Sequence, residues 1–414
     1  MTCIAYFCVL MKPIPFSPPR IDEKTIEAVT AVLRSGWITT GPQTRAFEND
    51  IQQYCESGPV LCLNSWTNAV EMVLYWFGIG PGDEVIVPAY TYAATANVVV
   101  HLGATPVMVD CSPNSAHMDI AKVEAAITER TKAIMPVDVG GLPVDYDAYM
   151  QLVKNFSKRF QWKPANRAQE KVGRPLVVSD AAHSFGSLYK GKRVGNQTDV
   201  AGFSFHAVKN LTTAEGGAIT LNFQSEIISE KIRQEIYVKS LHGQSKDAIS
   251  KMQPGNWRYD IVEAGYKCNM TDIHAAIGRV ELERFQESLD RRKEICEIYN
   301  RILSTNKNCI MPTFKTEWSD TNYHLYMLRV DKFTEDQRDA VIRKVAEEGI
   351  SLNVHFQPLP LFTFYKSEGF DIHDFPNAFN FYKNEISLPV YFDLSNEDAE
   401  RVANAILKAI QEVK

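Results

Sequence analysis

Short apolar runs alternate with amphipathic segments along the first two thirds of the chain. Each run has the length of a buried strand. The runs are residues 84–87, 105–109, 131–136, 176–179, 200–205 and 218–221. Segments with helical spacing lie between them, the clearest at 22–33, 67–77 and 91–102. Short buried strands separated by helices predict an α/β fold, with a mostly parallel sheet covered on both faces.

The pattern changes in the last third. We expect strands at 323–330 and 351–356, and helices at 335–348 and 395–413, which together indicate a smaller α+β domain. Residues 271–302 have an unbroken helical period that can connect the two units. We therefore predict a large domain over 11–275 and a small domain over 276–414 that includes the connecting helix.

Composition excludes some functions. The chain has 414 residues, 45% hydrophobic and 23% charged, which is ordinary for a globular protein. Its formal net charge of −6 disfavours a nucleic-acid surface. Residues 1–10 are apolar but too short to span a bilayer, and no basic region precedes them, so we expect an extension and no membrane anchor.

The cysteines indicate the compartment. They lie at positions 3, 8, 55, 62, 111, 268, 296 and 309. No pair has CxxC spacing and no Cys/His spacing resembles a zinc site, so we expect no metal. Free buried thiols in the cytoplasm are the favoured interpretation.

Two segments have plain structural interpretations. Gly78, Gly80 and Gly82 lie between a helix and a strand, the wrong order for a dinucleotide motif, and indicate a helix end and a turn. Residues 157–174 are polar and basic, and we interpret them as a solvated insertion rather than a binding patch.

Three segments could take part in chemistry. Ser65 and Thr67 precede an apolar helix, where either a cap or a phosphate seat is possible. Asp180 follows a strand, and His183 lies one turn further along the chain. Asp180 can be a helix cap with a structural histidine nearby, or an acid opposite a pyridine nitrogen with His183 as a second contact. Lys209 lies in a polar segment between two strands, where an amine can meet an aldehyde, although most lysines are surface residues.

Together these segments resemble the DegT/StrS-type sugar aminotransferases, a branch of the fold-type-I pyridoxal-phosphate enzymes. The resemblance extends from about Lys12 to the end of the chain. Its motifs occur at 35–41, 65–67, 82–88, 90–97, 103–106, 180–183, 189–191, 204–206 with 209–210, 215–217, 265–266, 355–356 and 387–389. It implies a large domain with a mostly parallel seven-stranded sheet between helices.

The resemblance implies a role for each matching residue. Lys209 corresponds to the lysine that holds pyridoxal 5′-phosphate as a Schiff base, and Asp180 to the acid at the pyridine nitrogen. His183 corresponds to the contact with the ring hydroxyl, and Tyr92 to an aromatic that stacks on the ring. The residues that correspond to the phosphate cradle are Ser65, Trp66, Thr67 and Ser204.

The chain departs from the family at two places. Trp66 replaces a glycine of the cradle, so its side chain must point away from the phosphate. The run Gly265-Tyr-Lys267-Cys-Asn269 replaces Gly-Tyr-Asn-Tyr-Arg, whose asparagine reaches the phosphate from the neighbouring subunit. Either Lys267 or Asn269 could take that role, which implies a homodimer with shared active sites.

The resemblance also implies a reaction. The amino group moves from L-glutamate to a nucleotide-linked keto-sugar, with pyridoxamine phosphate as the second form of the cofactor. Our expectation is a UDP-4-keto-6-deoxyhexose used for capsule or O-antigen. His355 is expected near the sugar nucleotide, and Thr39, Thr40 and Tyr326 are further candidates for the substrate cleft.

Three alternatives stay open. Some relatives are keto-sugar dehydratases that have histidine in place of the lysine, and Lys209 argues against that class. A 3-aminotransferase acting on a dTDP-sugar fits the same motifs. A regulatory relative without catalysis would lack Asp180 or Lys209, and both are present.

Overall fold

A sheet of seven strands forms the centre of the large domain. The computed structural model describes residues 12–245 and 257–413. The first nine strands are β1 (Val60–Leu63), β2 (Glu84–Pro88), β3 (Thr105–Val109), β4 (Thr131–Ile134), β5 (Leu176–Asp180), β6 (Leu188–Tyr189), β7 (Lys192–Arg193), β8 (Val200–Ser204) and β9 (Gly217–Leu221). The order in the central sheet is β1-β9-β8-β5-β4-β2-β3, and only β9 runs against its neighbours. The mostly parallel sheet of seven strands is confirmed.

Helices cover this sheet. In chain order they are α1 (Glu23–Ser35), α2 (Pro42–Cys55), α3 (Trp66–Phe77), α4 (Ala94–His101), α5 (Ile120–Ala126), α6 (Tyr146–Lys154), α7 (Arg167–Val172) and α8 (Glu226–Ser240). Strands β1, β2, β4, β5 and β9 are buried at every position, which explains their continuous apolar runs. Gly78 ends α3 at a φ of 75°, and Gly82 follows in a turn at a φ of 91°, so the interpretation of the glycine run is confirmed.

The single long helix predicted for 271–302 is wrong. The structure has two helices, α9 (Asp272–Glu283) and α10 (Phe285–Leu303), with a break at Arg284. The two halves serve different neighbours, because α9 packs on α1 and α2 whereas α10 packs on the C-terminal helix. A uniform helical period cannot show such a change of partner.

The small domain is built on a three-stranded antiparallel sheet. The remaining strands are β10 (Cys309–Ile310), β11 (Ser319–Asp320), β12 (Tyr326–Val330) and β13 (Glu385–Leu388), and the order is β10-β12-β13. The remaining helices are α11 (Glu335–Glu347), α12 (Thr363–Ser367), α13 (Pro376–Tyr382) and α14 (Asn396–Val413). Strand β11 pairs with β6 and so connects the two domains.

The strand predicted for 351–356 is wrong. Only Asn353 pairs with β13, through two backbone hydrogen bonds to Ser387 of 3.1 and 2.8 Å. The backbone amides that follow donate to side chains instead of a neighbouring strand. His355 N donates to Glu385 Oε2, and Phe356 N donates to the Tyr90 hydroxyl. These side-chain acceptors replace the ladder that a strand would need.

Three further predictions concern single segments. The basic side chains of 157–174 are mostly exposed, but Gln169 is buried and donates to Phe77 O, so the insertion is only partly solvated.

Six cysteines are buried and free, as expected, whereas Cys3 and Cys8 lie outside the described residues, as does the extension at 1–10. Ile14 pairs with Ile350 in the core of the small domain. The boundary at 275 stays a prediction.

Candidate active site

A cavity of about 400 Å³ opens where β5 and β8 end, between the start of α3 and the small domain. This is the edge at which α/β sheets bind ligands. Nine residues chosen from the sequence line it together: Ser65, Trp66, Thr67, Tyr92, Asp180, His183, Ser204, Lys209 and His355. They come from distant parts of the chain, so the fold assembles one site from separate motifs.

Asp180 is the last residue of β5 and is buried. Its Oδ2 accepts a hydrogen bond from Thr95 Oγ1 at 2.8 Å, and its Oδ1 accepts one from Ala182 N at 3.2 Å. Burial raises the pKa of Asp180 to about 6, although both hydrogen bonds and the charge of Lys209 act in the opposite direction. The carboxyl is therefore ionised at neutral pH and is ready to hold a cation.

Lys209 follows β8 in the polar loop that leads to β9. Its backbone N donates to His206 O at 2.9 Å, which closes a tight turn and directs the side chain toward the cavity. Burial lowers the pKa of Lys209 to about 8, and the charge of Asp180 opposes this shift. An amine with a pKa this close to neutrality exchanges its proton readily, which suits a general base.

His183 has a defined tautomer. Gly140 N donates to His183 Nδ1 at 3.2 Å, so Nδ1 is unprotonated and the proton lies on Nε2. Burial, together with the positive charge of Lys209, lowers the pKa of His183 well below its ordinary value. The ring is therefore a neutral donor, as a contact to a ring hydroxyl of a cofactor requires.

The start of α3 forms an anion seat. Ser65 caps the helix by accepting from Asn68 N at 3.1 Å, and the free amides of the first turn face the cavity beside Ser204. Gly217 leaves this approach open, because a Cβ there would lie 2.3 Å from Trp66 N. A side chain on β9 would thus block the backbone of the cradle.

The bulk of Trp66 is directed away from the seat. Its indole is buried, and its Nε1 donates to Gly202 O of β8 at 3.1 Å. Gly202 makes room for the ring, since a Cβ there would lie 2.8 Å from Nε1. The backbone amide of Trp66 stays available for an anion, so a tryptophan at this position is compatible with the predicted cradle.

Two pairs of aromatic side chains form the outer wall. The side chain of Tyr92 is exposed, and its ring centroid lies 5.9 Å from that of Phe356. His355 comes from the small domain and stacks on Phe16, with centroids 5.5 Å apart. The wall therefore joins both domains and the N-terminal segment.

Five predicted residues do not line this cavity. Thr40 and Asn269 bond to each other at 2.6 Å and border a second cavity, while Lys267 bonds to Asn269 and Thr39 lies beside Thr40. Tyr326 is buried in the small domain, where its hydroxyl donates to Asn300 Oδ1 at 2.7 Å.

Several residues of the site were not predicted from the sequence. Thr95 lies inside a recognised motif but was given no role, and Phe16 and Ser17 had no signal. His324 is buried, its ring packs against that of His183 in a tilted arrangement with centroids 4.4 Å apart, and its Nδ1 bonds to Asn210 Oδ1 at 2.7 Å. It is two residues from the predicted Tyr326, so the correct segment was found without the correct side chain.

The donor set fits pyridoxal phosphate. An anion seat, an ionised carboxyl, a neutral donor and an amine surround one cavity, which matches a phosphate, a pyridine nitrogen, a ring hydroxyl and an aldehyde. Within residues 12–245 and 257–413 no cluster of three metal-ligating side chains occurs, and no helix there is long and apolar enough to cross a membrane.

Comparisons with known proteins agree with this chemistry. The model of the DegT/DnrJ/EryC1/StrS aminotransferase family matches residues 19–159 and 167–407. The spore coat polysaccharide biosynthesis protein SpsC of Bacillus subtilis is 37% identical over 95% of this chain and 96% of its own. Its alignment thus includes both domains.

Solved structures give the same result. Spr1654 of Streptococcus pneumoniae, assigned as a sugar aminotransferase, has a PMP form that is 45% identical over 97% of this chain and 100% of its own, with a TM-score of 0.93. PseC of Helicobacter pylori is 26% identical over 97% of this chain and 100% of its own, with a TM-score of 0.83. The expected fold-type-I architecture is confirmed. The chain therefore belongs to the DegT/DnrJ/EryC1/StrS aminotransferase family and is a pyridoxal-phosphate-dependent sugar aminotransferase.

Proposed function

We propose that the protein transfers the amino group of L-glutamate to the keto carbon of a nucleotide-linked keto-sugar. The observation on which this rests is the pair formed by Lys209 and Asp180, an amine of lowered pKa and an ionised acid in one buried cavity. A lysine at this place also argues against a keto-sugar dehydratase, which has a histidine there.

Each residue has a defined part. Bound pyridoxal phosphate supplies an aldehyde that accepts an amine and a ring that accepts electrons. Lys209 Nζ would hold the cofactor at rest, and its free amine would act as the base that takes the α-proton of glutamate and as the acid that returns it. Asp180 would hold the protonated ring nitrogen, and His183, whose Nδ1 accepts from Gly140 N, would offer its Nε2–H to the ring hydroxyl.

The phosphate belongs at the start of α3. There Ser65, Trp66 and Thr67 offer side-chain or backbone donors, and Ser204 adds a hydroxyl from β8. Tyr92 forms the exposed wall beside the ring. The start of α3 and the carboxyl of Asp180 would together hold the cofactor at its phosphate and at its ring nitrogen.

We propose a UDP-4-keto-6-deoxyhexose as the acceptor, used for capsule, O-antigen or another surface polysaccharide. SpsC is named for spore coat polysaccharide biosynthesis, and PseC for an aminotransferase in the biosynthesis of pseudoaminic acid. The name of SpsC supports a surface polysaccharide. The cavity opens between the two domains, with His355 on the wall where the sugar would enter.

The test is a two-step assay. Glutamate should convert the protein from the yellow pyridoxal form to the pyridoxamine form with release of 2-oxoglutarate. A panel of UDP- and dTDP-keto-sugars is then offered, and the products are identified by mass and NMR. No spectral change with glutamate would refute the transamination. Loss of a hydroxyl without gain of nitrogen indicates a dehydratase, and a 3-amino-dTDP product indicates the alternative acceptor.

We further propose a cytoplasmic homodimer with shared active sites. Lys267 and Asn269 lie outside the cavity of their own chain, which supports a role at the phosphate of a partner subunit. Thr39 and Thr40 lie beside them and would approach the partner's substrate. The six buried free thiols support a reducing compartment.

Mixed dimers test the shared site. Lys209→Ala protomers and Asn269→Ala protomers, each of low activity, are refolded together, and a second mixture uses Lys267→Ala. If one of these residues serves the partner, mixed dimers contain one intact site and regain up to about half of the normal activity per mixed dimer. Absence of any rescue in both mixtures, with dimers present, refutes sharing through these two residues.

A further inference from the structure

A chain of hydrogen bonds leads from the cavity wall into the small domain. His355 Nδ1 lies 2.9 Å from Ser387 Oγ, and Ser387 Oγ lies 2.5 Å from Glu385 Oε1. The second carboxyl oxygen, Oε2, accepts from His355 N at 2.9 Å. The carboxyl thus bonds to His355 twice, once directly through its backbone and once through Ser387 to its ring.

Strand β13 holds this chain in place. Glu385 and Ser387 are two residues apart, so both side chains point to the same face of β13, and both are fully buried. At the edge of β13 the backbone of Asn353 pairs with that of Ser387 and brings His355 alongside. The carbonyl of His355 is also held, by the Tyr90 hydroxyl at 2.5 Å. His355 therefore has little freedom to rotate away.

The order of donors in this chain has only two solutions. If Glu385 is ionised, Oε1 accepts from Ser387, whose oxygen must accept from His355 Nδ1–H, and Nε2 is then an acceptor. If Glu385 is protonated and donates to Ser387, the serine hydroxyl donates to Nδ1, and Nε2 carries the proton. Each orientation satisfies every buried group, and they differ at Nε2, the nitrogen left for the cavity.

We propose that Glu385, acting through Ser387, determines which nitrogen of His355 carries the proton, and so whether His355 donates to or accepts from an oxygen of the bound sugar. Glu385 and Ser387 are positioning residues that never touch the substrate. The part that concerns the sugar rests on the proposed function, whereas the link between Glu385 and the ring does not.

The surroundings favour the donor form of His355 at neutral pH. Burial raises the pKa of Glu385 to about 8, and the hydrogen bonds from Ser387 and His355 N together with the charge of Arg338 reduce the shift. Burial and the charge of Lys209 lower the pKa of His355 to about 3, so its ring stays neutral. Below about pH 8 the relay therefore places the proton on Nε2, which matches a keto or hydroxyl oxygen as acceptor.

Several charged or titratable groups surround these two residues. Arg338 of α11 donates to the backbone O of Glu385 at 3.3 Å. On the neighbouring strand β12, Arg329 is the residue paired with Glu385. On the cavity side, groups that interact electrostatically with His355 or Glu385 are Tyr90, His183, Lys209 and His324. Of these, only Lys209 has a pKa near that of Glu385, so its variant serves as a control.

Nitrogen NMR of histidine observes the tautomer directly. Protein labelled with ¹⁵N-histidine is titrated from pH 6 to pH 10, and His355 is assigned from the signals lost in His355→Gln. The wild type should change from Nε2–H to Nδ1–H near pH 8, as should Lys209→Ala. Glu385→Gln should keep Nε2–H throughout, because its amide donates to Ser387 as a protonated acid does. A constant Nδ1–H form in wild type and Glu385→Gln overturns the proposal.

Ser387→Ala breaks the link, and Ser387→Thr restores the hydroxyl. We expect no tautomer change with pH in the alanine variant and the normal change in the threonine variant. If neither folds, the comparison of wild type with Glu385→Gln decides. A change in Ser387→Ala identical to that of the wild type excludes the relay.

The sugar half-reaction gives the second readout. From pH 7 to pH 9.5 the kcat/KM for the keto-sugar should fall about 10-fold in the wild type, mainly through KM, and much less in Glu385→Gln. The glutamate half-reaction is measured in parallel. Its failure in the wild type would refute the proposed function alone, because the NMR result needs no substrate. Equal pH profiles for the two proteins would refute the contact between His355 and the sugar.

Discussion

The two walls of the cavity are built on different principles. On the large-domain wall, Lys209 and Asp180 are charged groups of opposite sign whose pKa values burial has moved toward neutrality. On the small-domain wall, His324 and His355 are neutral, since burial lowers the pKa of both rings below the ordinary value. The two groups of the large-domain wall change charge near neutral pH, whereas the two rings that face the cavity from the small domain stay neutral.

This difference separates chemistry from recognition. Proton transfer needs groups that change charge near the working pH, whereas a sugar is recognised by hydrogen bonds whose direction must be fixed. His183 lies at the junction, because it belongs to the large domain but its ring packs against that of His324 in the small domain. We therefore expect variants of the large-domain wall to reduce the rate of both half-reactions, and variants of the other wall to affect the sugar half-reaction.

Lys209→Ala should have the largest effect. Loss of the amine removes the anchor and the proton carrier together, so the glutamate half-reaction should fall at least about 10³-fold. Stopped-flow absorbance with added cofactor measures it. Lys192→Ala, at an exposed lysine, is the matched control and should keep the wild-type rate. A Lys209→Ala protein that still reacts at a comparable rate would contradict the assignment of proton transfer to the large-domain wall.

Asp180→Asn should be next in size. The amide keeps the shape and can still accept from Thr95, but it removes the negative charge at the ring nitrogen. We expect about a 100-fold loss in both half-reactions, the size found when one electrostatic partner is removed. The exposed Asp147 gives the control Asp147→Asn. A loss confined to the sugar half-reaction would show that Asp180 acts in sugar recognition, as we expect of the small-domain wall.

Thr95→Val should have a moderate effect with a defined sign. The Thr95 hydroxyl lowers the pKa of Asp180, so its loss raises that pKa further above about 6. Asp180 is then ionised only at higher pH, and the acidic limb of the rate profile moves to higher pH. We expect about a 10-fold loss at neutral pH. Thr305→Val, at an exposed threonine, is the control. An unmoved acidic limb would show that Thr95 does not tune the acid.

The two walls also differ in how well the sequence predicted them. Asp180 ends β5, Ser65 precedes α3 and Lys209 lies in the loop after β8, and the edge of a parallel sheet brings such positions together. A reader of the sequence can therefore place them without a structure. Thr95 belonged to a recognised motif, yet its bond to Asp180 spans 85 positions and has no local signal.

The small-domain wall depends on register and on distant pairing. His355 meets Ser387 across 32 positions, through a segment that makes one strand pair and then turns to side-chain acceptors. The apolar pattern of 351–356 predicts a strand, because it cannot show that Glu385 and Tyr90 take the place of a ladder. The break at Arg284 is hidden for the same reason, since tertiary partners decide it.

Tyr326→Phe should have the smallest effect, and it tests where the small-domain wall of the cavity ends. Tyr326 was a candidate for the substrate cleft, but neighbouring positions near a strand face opposite sides, so Leu325 borders the cavity while Tyr326 enters the core. Loss of its hydrogen bond to Asn300 should lower the free energy of unfolding by about 1 kcal/mol. Denaturant unfolding measures this, and Asn300→Ala should give a similar loss. The KM for the sugar should not change. A raised KM for the sugar at unchanged stability would show that Tyr326 contacts the substrate. The small-domain wall would then include Tyr326 as well as His324 and His355.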